Sequence, residues 1–143
     1  MTKMIENFKI LAQFVKDISS ETADTETYLF VKNHISQYKL KIDINSKALK
    51  NKLIEVNTIL RFEDTDNNKK KSLFEITYAS IVKVNEEVKE KKDLEKIILR
   101  DVPTKIYPNL EKAFLNLLHD SGFPEIKFEK KIDFSKLFNE RSN

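Results

Sequence analysis

The chain has 143 residues, enough for one domain over 1–143, with 34% charged residues of both signs and a net charge of +3 at pH 7. The absence of cysteine and the single glycine exclude disulfides, thiolate metal sites, cysteine nucleophiles and the glycine-rich loops that cradle nucleotide phosphates. The basic balance brings nucleic acid into view, but the only arginines are Arg61, Arg100 and Arg141; scattered lysine reads as solubility, and no nucleic-acid partner is expected.

The first twenty residues carry Lys3, Glu6, Lys9, Lys16 and Asp17, which interrupt any signal-peptide core. No apolar run approaches the ~20 residues of a membrane span, so a cytoplasmic protein without membrane insertion is expected. Phe8, Ile10, Ala12 and Phe14 alternate as a first, weak strand. Residues 22–37 read as a long connection carrying Tyr28-Leu29-Phe30-Val31. Aromatics in so long a loop either cap the core or form a working surface, and periodicity does not choose between them. Tyr38, Leu40, Ile42 and Ile44 then alternate strictly with Lys39, Lys41, Asp43 and Asn45, a strand with one wet face. Ile54, Val56, Thr58, Leu60 and Phe62 repeat the pattern, as do Phe74, Ile76, Tyr78, Val82 and Val84. The links at 46–51 and 64–68 are polar and too short for a helical crossover, which makes the pairing antiparallel.

After Val84 the pattern becomes helical. Residues 86–100 are highly charged, with Val88, Leu94 and Ile98 making only a partial stripe. Asp101-Val102-Pro103 restarts the chain and Pro108 is expected to kink or re-initiate the next helix. Tyr107, Leu110, Phe114, Leu117 and Leu118 form a clean stripe of period 3.6, stopped by Ser121-Gly122 as C-cap with Pro124 beyond. Asp133 is expected to cap a last short helix bearing Phe134, Leu137 and Phe138. The fold class is α+β: a four-stranded antiparallel sheet followed by helices on one side. Such a sheet has two open edges, and part of its apolar surface needs a partner.

No constellation for catalysis is visible, and the chain reads as not an enzyme. Asp64-Thr65-Asp66-Asn67-Asn68 with Glu75 has the oxygen spacing of a calcium loop, but Lys69 stands where the sharp turn needs glycine and more lysines follow; it reads as a polar hairpin, and no metal is expected. His34 and His119 stand far apart without a second ligand or a nucleophile at usable spacing. The pair Glu86-Glu87 reads as a wet helix face. Asp17 and Glu21 lie at one strand end, and Leu73 and Glu75, two apart on another, share the face opposite Phe74, Ile76 and Tyr78. An acidic, partly apolar patch on a lysine-rich protein is either chance or a docking site.

A string of short motifs in order adds a resemblance. Lys16-Asp17-Ile18-Ser19 with Glu21, Lys39-Leu40, Ile54-Glu55-Val56, Leu73-x-Glu75, Pro103, Tyr107-Pro108, Gly122-Phe123-Pro124 and Asp133-Phe134-x-x-Leu137-Phe138 resemble the bacterial protein-export chaperone family SecB. The resemblance spans about 10–138 and implies a dimer of dimers whose long helix lies between eight-stranded sheets. It implies an ATP-independent chaperone, without cofactor, that holds precursor proteins unfolded and delivers them to the SecA motor ATPase. The docking positions it implies are Asp17, Glu21, Leu73 and Glu75. The implied client groove comprises Tyr28, Leu29, Phe30, Tyr38, Leu40, Ile42, Ile44, Leu137 and Phe138, with core packing the competing role for many of them, Ile42 and Ile44 above all. A variant of the same reading is a SecB-like chaperone dedicated to one client, such as an antitoxin. The chain departs from the family pattern in its basic charge, in Ala79-Ser80 where a glycine pair is common, in Lys131 where a proline is usual, and in a nearly absent acidic tail before Asn143. Weaker steering toward a basic motor segment is the expected consequence.

Overall fold

A computed structural model describes residues 7–66 and 68–141. Four strands, β1 (Phe8–Glu21), β2 (Tyr38–Ala48), β3 (Leu53–Asp64) and β4 (Leu73–Val84), form one antiparallel sheet in the order β1-β4-β3-β2. The first two strands therefore occupy opposite edges. The chain crosses between them through α1 (Thr25–His34) and a 3-10 turn at Ile35–Gln37. This corrects the sequence expectation of a loop over 22–37. Asp24 supplies the N-cap, its carboxylate accepting the Thr27 N–H at 2.8 Å; that contact also holds the Asp24 carboxyl below its usual range. Only Thr27 and Val31 of α1 are buried, one position per turn, so no apolar stripe announced the helix.

The register divides the sheet into two faces. On β3 and β4 the even positions face inward, where Val56, Leu60, Phe62, Phe74, Ile76, Tyr78 and Val82 are buried. Two bulges, at Leu11 and Lys16, interrupt the pairing of β1 with β4. Each shifts side-chain parity by one. Phe8 and Ile10 pair with Val84 and Val82 on the inner face, but Phe14 pairs with Ala79 on the outer face. The simple alternation expected through Phe8, Ile10, Ala12 and Phe14 is thus broken, and β1 exposes Leu11, Phe14, Val15 and Ile18.

The helices layer onto the inner face. From Lys91 to Asp120 the chain is helical: α2 (Lys91–Lys96), a π turn (Ile97–Asp101) and α3 (Val102–Asp120). The break expected at 101–103 is absorbed by the π turn, in which the Val102 N–H reaches the Ile97 carbonyl, five residues back. The wider turn makes room for the Pro103 ring, which would meet a carbonyl in an ordinary helix. Pro108 sits inside α3 without ending it. Val102, Ile106, Leu110, Phe114 and Leu118 are fully buried, a row of spacing four laid against the sheet.

Gly122 ends α3 at φ +104°. Its N–H donates to the His119 carbonyl and that of Phe123 to the Leu118 carbonyl, both at 3.1 Å, a Schellman closure. Residues 123–133 then run without regular structure to α4 (Phe134–Arg141), whose first turn is capped by Asp133 accepting the Lys136 N–H at 3.0 Å. Phe134 packs edge-on against Tyr107, with ring centroids 5.7 Å apart.

Candidate functional site

Two surfaces stand out, one on each face of the sheet. On the outer face, Asp17 pairs with Thr77, Ser19 with Glu75 and Glu21 with Leu73. The fold therefore brings Asp17, Glu21, Leu73 and Glu75 onto one patch at the end of the β1–β4 ladder. The Lys16 bulge is what aims Asp17 outward. Leu73 is 42% exposed, an apolar spot amid the carboxylates. Sequence reading missed Arg61. It lies opposite Glu75 in the β3–β4 register, and its guanidinium donates to the Glu75 carboxylate at 3.0 Å. That hydrogen bond and the carboxylate's charge hold the Arg61 cation more firmly charged than usual. One acid of the patch is thus already partnered. Nearby, Lys16 pairs with Glu55 at 2.9 Å, which lowers the Glu55 pKa. Cross-strand partners follow from register, which residue type alone does not disclose.

The second surface is a groove of about 560 Å³ on the helix side, at the start of β2. Ile35, Leu40, Phe62, Phe123, Ile126 and Phe128 supply its apolar lining, and Lys32, Lys39, Lys127 and Lys130 stand at it with Glu125 and Glu129. Phe128 is fixed between Phe62 at 5.8 Å and Phe114 at 6.1 Å between centroids. It anchors the irregular segment as one wall.

The nine groove residues implied by sequence fall into distinct environments. Tyr38 and Leu40 line the groove itself. The Tyr38 ring is buried, and its hydroxyl accepts the Ser72 N–H at 2.9 Å. Ile42 and Ile44 continue along the inner face of β2, half-buried against the core. Farther along, α4 comes close to β2 where Arg141 approaches Asp43 at 3.8 Å. There Leu137 is 40% exposed and Phe138 is buried. On α1, Leu29 is 55% exposed, Phe30 stacks on His34 at 4.0 Å, and Tyr28 lies over Gly122. The Tyr28 hydroxyl donates to the Gly122 carbonyl at 2.7 Å. The wall formed by Phe123, Ile126 and Phe128 was not singled out from sequence, although Gly122-Phe123-Pro124 marked where it begins.

The polar hairpin holds its own oxygens. Asp64 accepts the Asp66 N–H at 2.8 Å and the Asn68 side chain at 2.9 Å, and the Asn68 contact is the main cause of its lowered pKa. Asp64 pairs with Tyr38 on the inner side while Glu75 faces outward to Arg61, so the two ends of the calcium-like spacing diverge; Asn67 lies outside the described residues. His34 and His119 contact the carbonyls of Phe30 and Ile126. Among the described residues no His, Asp or Glu cluster could hold a metal ion, and no helix is long and apolar enough to cross a membrane.

An open-edged antiparallel sheet layered on one face with helices is the architecture of the SecB-like chaperones. The SecB-like chaperone Rv1957 of Mycobacterium tuberculosis, solved with a peptide of the HigA1 antitoxin, shares this fold: TM-score 0.61, 11% identity, 87% of this chain and 91% of that one covered. The family model for preprotein translocase subunit SecB matches residues 2–143, and the chain belongs to the SecB family. A relative from Pelagibacter ubique bearing the SecB name is 66% identical over 140 residues, covering 98% of this chain and all of that one. The protein-export protein SecB of Parvibaculum lavamentivorans is 29% identical, over 93% of this chain and 77% of its own. Members of this family are chaperones serving protein export and are not known as enzymes.

Proposed function

We propose that this protein is an ATP-independent, cofactor-free cytoplasmic chaperone, one domain over 1–143, that holds precursor proteins unfolded and passes them to the SecA motor. The observation that carries the reading is the continuous apolar inner face of β2, open along its free edge and flanked by the irregular wall at one end and α4 at the other. Apolar and aromatic walls capture hydrophobic side chains with little sequence preference, and an extended backbone fits alongside a free strand edge. Clients occupy Leu40, Ile42, Ile44 and Leu137, with Tyr28, Leu29, Phe30, Tyr38 and Phe138 shaping the groove. The exposed apolar residues of β1 make that edge the self-association surface, and the assembly is a homotetramer, a dimer of dimers. Asp17, Glu21, Leu73 and Glu75 dock the motor on the opposite face, so client and motor bind without competing.

The test is native mass by light scattering, with and without an unfolded precursor, together with the precursor's refolding rate. A tetramer that takes up client and slows refolding at near-stoichiometric ratio supports the reading; no retardation at any ratio ends it. Asp17→Lys or Glu75→Lys abolishes motor binding while client binding persists, and joint loss of both overturns the assignment of the patch. The second reading, a chaperone dedicated to one client such as an antitoxin, takes its support from the fold neighbour solved with an antitoxin peptide. A single gene partner encoding a preferred client would favour it.

A further inference from the structure

We infer that the groove beside β2 selects apolar segments flanked by acidic residues, a preference resting on the reading of this groove as the client site. Lys32 lies in the last turn of α1, Lys39 follows Tyr38 at the start of β2, and Lys127 and Lys130 stand on the irregular wall. All four are exposed, and none makes an ion pair or side-chain hydrogen bond among the described residues. Glu125 and Glu129 are the only carboxylates among the described groove residues, against Lys32, Lys127 and Lys130, with Lys39 on the outward face of β2 at its free edge. Along the strand pair Glu63 is engaged by Lys41 and Asp43 by Arg141, while Asp64, opposite Tyr38, is held by the Asn68 side chain.

The floor is apolar and its rim carries net positive charge, so the complementary ligand has an apolar centre and carboxylates at its ends. The backbone supports an extended occupant. Residues 127–132 make no backbone–backbone hydrogen bond among the described residues, and β2 pairs only with β3. Donors and acceptors on both sides of the groove are thus free for a strand laid between them. The carboxylates of the outer patch lie on the other face, so each surface attracts the charge that the other repels.

The experiment measures anisotropy of three labelled peptides with one apolar core, flanked by Asp/Glu, by Ser or by Lys, on the intact protein. The acid-flanked peptide is expected to bind about fivefold tighter than the serine-flanked one, as a few exposed ion pairs would give. The lysine-flanked peptide should bind more weakly than either, and the spread should shrink at about 0.5 M salt. Lys127→Glu with Lys130→Glu, both exposed and without structural partners, should reverse the order. Equal affinities, a preference for lysine flanks, or an order unmoved by the double substitution overturns the inference while leaving the groove in place. Failure of all three peptides to bind overturns the groove reading itself, and the inference with it.

Discussion

Replacing Gly122, the single glycine of the chain, tests how the helical layer is joined to the groove. Two separate penalties attend Gly122→Ala. The backbone sits at φ +104°, where a side chain costs about 1–2 kcal/mol. An alanine Cβ would also lie 2.5 Å from Cε1 of Tyr28. A ring edge can move, but this ring is tied by its hydrogen bond to the Gly122 carbonyl and packed on Phe123 at 5.3 Å. Moving it forfeits about 1 kcal/mol for the hydrogen bond and about 0.5–1 kcal/mol for the ring contact. The sum is about 2.5–4 kcal/mol, a large fraction of the stability of an ordinary domain. A chain of this size should lose about 5–12 °C in Tm, read at fixed protein concentration because assembly contributes to apparent stability. A double-mutant cycle separates the two penalties. In a Tyr28→Ala background the clash is gone, and Gly122→Ala should cost only the backbone part, leaving a coupling of about 1 kcal/mol or more. Because Gly122 aims the wall that follows it, the single variant should also take up less client. A destabilisation under about 0.5 kcal/mol, or a cycle without coupling, would refute this account.

Other perturbations address the remaining elements. Arg61→Ala frees the Glu75 carboxylate and should tighten binding of a basic partner by about twofold to fivefold while costing under about 1 kcal/mol of stability, since both side chains are substantially exposed; weaker binding, measured by titration calorimetry, would show that Arg61 is itself part of the docking surface. Burial is the leading cause that raises the phenol pKa values of Tyr38, Tyr78 and Tyr107. Their folded pKa values lie above the unfolded value near 10, so the stability they contribute is complete below about pH 10 and is lost as pH rises further. Tyrosinate absorbance from these three should therefore appear together with unfolding in an alkaline titration, and ionisation of all three within a folded protein would contradict their placement. Ile18→Lys on the exposed edge of β1 should lower the native mass seen by light scattering with the far-ultraviolet spectrum unchanged. An unaltered mass would move the self-association surface elsewhere.

Strict alternation was enough to place β2, β3 and β4, because one face of each strand packs apolar side chains against the helices and the other is more polar and less buried. The apolar row ending at Leu118, the glycine stop and the Asp133 cap were likewise local patterns with local causes, and all three stand in the structure. Composition removed whole classes of chemistry, since residues that are absent cannot act. What escaped sequence reading depended on pairing across the sheet. The bulges at Leu11 and Lys16 leave no mark in composition, yet the first turns Phe14 to the outer face and the second restores the parity that keeps Asp17 on the acidic patch. The α1 helix buries too few residues to show a period. Arg61 and Glu75 became partners only when β3 and β4 took their register. The groove, too, is tertiary: Phe62 stands far in the chain from Phe123 and Phe128, and an unpatterned segment becomes a wall because Phe128 lodges between a strand and a helix. Local sequence sets which elements form and which faces are apolar, but a surface assembled from several elements exists only once their packing fixes the distances between them.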